Sequence, residues 1–185
     1  MSQKRKHREK KAPKAKVTEK PSAEFPDRKC VIAVRIRGQA GVAGDVEATL
    51  GMLHMPRKYN AAVLYSEPSI LGMLRKVKDY VTWGEIEKKT LATLLEERCR
   101  PTSVKEITAK YLKESLQVAS LEKLAEAMEK TEIPLGKLRE AGLPMVFRLH
   151  PPKGGFKGPT KRGFAEGGEL GYRGVEISQL VSRMI

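Results

Sequence analysis

Apolar residues first gather at Cys30-Val31-Ile32-Ala33-Val34-Arg35-Ile36-Arg37, a β-branched run whose last positions alternate apolar with cationic, as a strand with one buried face does. Gly38-Gln39-Ala40-Gly41-Val42-Ala43-Gly44 breaks the run, and Asp45 is placed to cap a helix carrying Val46, Leu50 and Leu53 at helical spacing. After Pro56, Tyr59 to Tyr65 reads as a second strand closed by Ser66 and Pro68, with a helix following through Ile70, Leu71, Leu74 and Val77. Tyr80-Val81-Thr82-Trp83-Gly84 reads as a short extended piece and a turn. Leu91, Leu94 and Leu95 then mark the apolar face of a helix from Glu87 to Arg98.

Pro101 stops that helix, and Ser103 with Glu106 forms a capping-box pattern that opens another through Val104, Ile107 and Tyr111. Leu121, Leu124, Ala125 and Met128 keep the helical period, and Leu135, Leu138 and Gly142 predict one more short helix with a glycine stop. Met145, Phe147 and Leu149 share one face of a segment from Met145 to His150 that reads as the third strand of the body, ended by Pro151 and Pro152. Val175, Leu180, Val181 and Met184 predict a brief terminal helix. The expected class is α+β: a small sheet, helices covering one of its faces, a helical insert at about 101–143 and two basic extensions.

Charge divides this pattern into parts. The chain holds 36 Lys and Arg against 22 Asp and Glu, a formal +14, which makes a polyanion the expected partner, with a membrane surface as the competitor. Residues 1–29 carry eleven of the cations, four acids, three prolines and almost no large apolar residue. Such a composition predicts a basic arm ahead of a folded domain at 30–185. Lys4, Arg5, Lys6, Arg8, Lys10 and Lys11, with Lys14 and Lys16, are spread as phosphate-neutralising cations would be, although a solvated tail or a localisation signal would look similar. The second concentration is about 148–174, where Arg148, Lys153, Lys157, Lys161, Arg162 and Arg173 alternate with Gly154, Gly155, Gly158, Gly163, Gly167 and Gly168 and with Phe156 and Phe164. Glycines admit a phosphate close to the backbone, cations set the register and aromatics stack, so the segment is expected to bind RNA, against the plainer reading of a flexible loop. Between the two, Cys30 to Val146 has eighteen cations and fifteen acids.

No comparable signal supports catalysis. Gly38-x-x-Gly41-x-x-Gly44 between a strand and a helix is neither G-x-G-x-x-G nor a loop ending in G-K-[ST], so a nucleotide site is not indicated. His7, His54 and His150 lie apart from any nucleophile motif, and the acids sit mostly beside lysines on helix faces. Cys30 and Cys99 have metal-ligand spacing neither to each other nor to a His pair and read as small core residues. Trp83 is read as core in preference to a base-stacking residue. No stretch reaches the roughly 18 apolar residues of a membrane span, and no secretory leader is recognisable. The chain is therefore expected to be a cytoplasmic non-enzyme with no cofactor, no metal, no small-molecule substrate and no membrane partner.

Four motifs carry a resemblance: Val34-Arg35-Ile36-Arg37-Gly38, Tyr80-Val81-Thr82-Trp83-Gly84, Arg148-Leu149-His150-Pro151-Pro152-Lys153-Gly154-Gly155-Phe156, and Glu166-Gly167-Gly168-Glu169-Leu170-Gly171. In that order, and spanning nearly everything from Lys29 to Ile185, the ensemble resembles the archaeal and eukaryotic branch of the large-subunit ribosomal protein family L-thirty, whose eukaryotic members are called L-seven. The resemblance implies a β-α-β-α-β core like half of a ferredoxin fold with a small antiparallel sheet. It also implies a structural role against large-subunit ribosomal RNA, near 5S RNA, among neighbouring ribosomal proteins. The insert argues against a bacterial origin, and the long basic arm is closer to the eukaryotic habit than to compact archaeal relatives. By the family's motifs, RNA contacts fall on Arg35, Arg37 and Gly38 and on His150 to Phe156. A non-ribosomal RNA chaperone using the same basic segments is the alternative reading.

Overall fold

A computed structural model describes residues 28–99, 116, 118 and 120–185. Its elements, in chain order, are β1 (Cys30–Arg35), α1 (Gly44–Met52), β2 (Asn60–Tyr65), α2 (Pro68–Lys76), β3 (Val81–Glu85) and α3 (Lys88–Arg98), then α4 (Leu121–Glu129), α5 (Leu135–Glu140), β4 (Val146–Arg148), β5 (Gly171–Tyr172) and α6 (Ile177–Ser182). The fold is α+β, and its five strands lie in the order β4-β2-β1-β3-β5. β1 pairs antiparallel with both β2 and β3, β4 joins antiparallel at the β2 edge, and β5 joins parallel at the β3 edge.

The β-α-β-α-β unit is present, but its third strand is Val81–Glu85, not the Met145–His150 segment. β4 spans three residues and only extends the sheet at its edge. Gly84 was the misleading signal: it sits within a strand, and a Cβ there would lie 2.0 Å from the carbonyl oxygen of Gly174, which crosses above it. A glycine inside a strand marks such a close backbone approach as readily as it marks a turn.

Successive strand residues face opposite sides of a sheet, and β1 is buried on both. Cys30, Ile32 and Val34 join one core with Leu91, Leu94 and Leu95 of α3, Leu124 and Met128 of α4, and Leu180 and Val181 of α6. Ala33 on the opposite face joins Leu50 of α1, Leu74 of α2, Val81 and Trp83. Helices therefore cover both faces, which corrects the expectation of one covered face. A strand buried on both sides loses the period-two contrast from which an open face is inferred.

Local signals set several element ends. The Ser120 hydroxyl accepts from the Lys123 amide and caps α4, and Gly142 ends α5 in the left-handed region. Asp45 is not the cap of α1: Ala43 holds that position without a side-chain bond, and Asp45 lies within the first turn, where the helix dipole favours an acid. Lys76 of α2, 3.3 Å away, holds its carboxyl below the ordinary range. Glu126 of α4 accepts from Lys88 of α3 at 2.8 Å and from Lys130 at 2.9 Å, which fixes the azimuth of α4 against α3. The helix expected through Val104, Ile107 and Tyr111 lies outside the described residues. Cys30 and Cys99 are buried free thiols, both pushed up to about 12 by desolvation, with Glu129 adding to the effect at Cys30.

Two outcomes follow. Gly84→Ala drives a methyl group into the Gly174 carbonyl and should lower unfolding free energy by about 1–3 kcal/mol in chemical denaturation. Gly38→Ala, with open space around its Cβ, should stay within about 0.5 kcal/mol of the parent. In alkylation at mildly alkaline pH, both thiols should be inert in the folded protein and react only in denaturant; labelling of either in the native state would contradict their burial.

Candidate nucleic-acid interface

One end of the sheet collects the C-terminus of β1, the loop entering β2 and the C-terminus of β4. Arg35, the last residue of β1, is completely buried there. Its Nη1 donates to the carbonyls of Met55 at 2.9 Å and Pro56 at 2.8 Å, its Nε to Arg37 at 2.9 Å and its Nη2 to Gly38 at 3.1 Å. Burial lowers its pKa, while Glu47 and Tyr80 pull it back. A guanidinium with its donors in a fixed fork can satisfy several diverging carbonyls at once, which an ammonium cannot. Arg35 is therefore a clamp on two loops. Arg37 and Gly38 continue the turn. The Arg37 guanidinium lies 4.8 Å from the centroid of Tyr80 and donates to the Asp79 carbonyl at 3.0 Å, and Gly38 is exposed.

The loop entering β2 brings Arg57, Lys58 and Tyr59 to the same end. Tyr59 adopts φ of 64°, an unfavourable left-handed conformation for a bulky residue. Its amide donates to the Arg35 carbonyl at 2.7 Å, and its carbonyl accepts from Leu149 at 3.0 Å. Its ring stacks against Phe156 with centroids 6.5 Å apart, and the Lys58 ammonium lies 4.7 Å from its centroid. Arg148 stands opposite Asn60 in the ladder and points to solvent. His150, Lys153, Gly154 and Gly155 follow it on the surface, while Phe156 is half-buried. Arg57, Lys58, Arg148, His150 and Lys153 form no ion pair among the described residues. The four Lys and Arg side chains among them are free for a polyanion.

The loop from His150 to Gly155 is held from behind by the end of the chain. The His150 amide donates to the Met184 carbonyl at 2.9 Å, and the Lys153 amide to the Arg183 carbonyl at 2.8 Å. The Arg183 guanidinium returns two bonds to the Lys153 carbonyl at 2.9 and 3.0 Å and one to that of Gly155. Gly154 and Gly155 both have positive φ, so the paired glycines are what let the loop turn back onto Arg183.

The remainder of the basic segment folds on itself. A Cβ at Gly158 would lie 2.5 Å from the Gly167 carbonyl oxygen, and one at Gly168 would lie 2.2 Å from that of Arg162. These two glycines close a compact knob. Inside it, Glu169 accepts from the Gly158 amide at 2.8 Å and pairs with Arg173, whose guanidinium lies 4.6 Å from the centroid of Phe164. Lys157, Lys161 and Arg162 remain exposed on the outside.

Among the residues singled out from sequence, Arg148, His150, Lys153, Gly154, Gly155 and Phe156 come together with Arg37 and Gly38 at or beside one end of the sheet. Arg35 and Arg173 are turned inward, and Lys4, Arg5, Lys6, Arg8, Lys10 and Lys11 lie outside the described residues. Sequence reasoning missed Lys58, Tyr59 and Arg183. An Arg-Lys-Tyr triplet just ahead of a strand was a usable signal for the first two, whereas nothing local marks Arg183.

Known proteins of similar sequence fall in one family. A family model described as ribosomal protein L30p/L7e matches residues 31–81. The large ribosomal subunit protein uL30 of Korarchaeum cryptofilum is 45% identical over 155 residues, covering 84% of this chain and 94% of the relative. That of Hyperthermus butylicus is 44% identical over 179 residues, 92% of this chain and 98% of the relative. That of Ignicoccus hospitalis is 45% identical over 159 residues, 85% and 99% respectively.

Arg35→Leu and Lys153→Ala should separate a clamp from a contact. The first takes the Arg35 donor from four carbonyls, of which only that of Pro56 keeps another side-chain donor among the described residues, Gln39 at 3.0 Å; a carbonyl left unsatisfied costs about 1–3 kcal/mol, so thermal stability should fall sharply. The second should leave stability unchanged and lower the salt dependence of RNA binding by roughly one contact. A stable Arg35→Leu protein with a reduced salt slope would reverse the assignment.

Proposed function

The chain belongs to the ribosomal protein L30p/L7e family and is a structural, non-enzymatic constituent of the large ribosomal subunit, and on that premise we propose how it holds ribosomal RNA. The cationic end of the sheet is the principal contact: Arg148 and Lys153 with Lys58 neutralise phosphates, His150 adds a hydrogen-bonding ring beside them, and Gly154 and Gly155 admit backbone closely. Arg37 and Gly38 extend this surface, and Lys157, Lys161 and Arg162 add a second cationic patch on the knob. Arg35 and Arg173 support these surfaces from within. The observation that carries the reading is a group of cations without acidic partners, displayed on loops that Arg35 and Arg183 have already ordered. Ordered loops spend less conformational entropy on binding.

The basic arm at 1–29, a part distinct from the domain at 30–185, adds further phosphate contacts through Lys4, Arg5, Lys6, Arg8, Lys10 and Lys11. The site of work is the cytoplasmic ribosome, in the neighbourhood of 5S RNA.

Sucrose-gradient sedimentation of tagged protein from a native lysate should place it with the large subunit at low and moderate salt. Replacing Arg148 and Lys153 by Ala should weaken RNA binding and lower the log–log salt slope by about 0.7–0.9 per lost contact, with an unchanged circular dichroism spectrum. An unaltered slope would put the contact surface elsewhere, and recovery only at the top of the gradient would favour a free RNA chaperone.

A further inference from the structure

At the other end of the sheet, on the face shared with α2, the helices leave a groove of about 490 Å³. Its floor and walls are Val31 of β1, Leu71 of α2, and the rings of Trp83 and Tyr172, whose centroids are 6.5 Å apart at 50°. Tyr172 is 57% exposed, a large aromatic surface open to solvent. Trp83 is only 7% exposed, yet its indole N–H has no hydrogen-bond partner among the described residues and is not sealed from solvent. A tryptophan buried to that extent ordinarily finds a partner for its one donor.

Charge surrounds this apolar slot. Lys29 and Arg75 stand at its rim, and Glu85 accepts from the Tyr172 hydroxyl at 2.9 Å while Lys29 lies 3.8 Å from it. Tyr172 is thus fixed in place, with its pKa raised by the bond to Glu85. Lys29 is the last residue of the cationic segment 1–29.

We propose that this groove receives one unpaired nucleotide of the RNA, its base stacked on the exposed ring of Tyr172, which packs on Trp83, and its phosphate toward Lys29 and Arg75. The inference rests on the RNA-binding reading above but concerns a separate site. A planar base fits the exposed face of Tyr172, and its ring acceptors can take the place of water at the Trp83 indole N–H. Its phosphate matches the rim cations, and a carboxylate beside the slot suits an exocyclic amino group. Stacking of a single-stranded base on aromatic side chains is worth about 1–3 kcal/mol and tolerates sequence.

Trp83 is the chain's one tryptophan, so its fluorescence reports this groove alone. The full-length protein should show saturable quenching with an oligoribonucleotide containing a single-stranded segment, and little with a blunt RNA duplex of equal length or with inorganic phosphate. Tyr172→Ala should weaken the quenching titration about tenfold or more while leaving duplex binding by gel shift unchanged, and Arg75→Gln should weaken it with normal thermal stability. RNA bound in the gel with no change in Trp83 emission would overturn the nucleotide site and leave the cationic surface standing; failure to bind any RNA at low salt would remove both. Quenching by RNA-free large-subunit proteins, and never by RNA, would give the groove to a protein neighbour and equally overturn the proposal.

Discussion

A cation with no access to water holds the cationic end of the sheet. The Arg35 guanidinium donates to four backbone carbonyls drawn from the turn after β1 and from the loop entering β2. A buried charge is tolerated only when its donors are satisfied, and the same bonds satisfy carbonyls that sharp loops would otherwise leave unpaired. Tyr59 depends on this clamp. Its left-handed backbone persists because its amide bonds the Arg35 carbonyl, its carbonyl bonds Leu149 and its ring lies against Phe156. From that chain of contacts the position of Arg148 and the following loop is set.

The second constraint is the path of the C-terminal segment, which leaves the sheet at the β4 edge and returns at the β3 edge as β5. Two close approaches make the route passable, Gly84 under Gly174 and Gly168 against Arg162. Glycine here serves packing between parts of the protein as much as access by a ligand. Glu169 and Arg173 close the knob from inside, and Arg183 closes the loop that precedes it. The basic segment is thus an organised surface with one inward-facing cation, Arg173, and five displayed ones.

The two ends of the sheet differ in chemistry. One gathers unpaired cations on loops, suited to phosphates along a folded RNA backbone, where affinity grows with each counterion released. The other offers one exposed aromatic face, Tyr172, with Lys29 and Arg75 at the rim, the chemistry of a stacking surface for a base out of its helix.

Much of this was legible in the sequence, because some properties are local. Periodicity located β1, β2 and six helices, Gly142 marked a helix end, and the charge surplus at 1–29 and 148–174 identified a polyanion as the partner. Four motifs in order pointed to the family that the archaeal relatives establish. Strand order and the fate of individual cations were not legible. Gly84 reads as a turn because the chain that crosses it lies ninety residues further on, and β1 hides its second core because both of its faces are apolar. Arg35 and Lys153 are equally cationic on paper. Tertiary structure alone separated them, since a charge is buried or displayed according to which distant carbonyls converge on it, and no local pattern records that convergence.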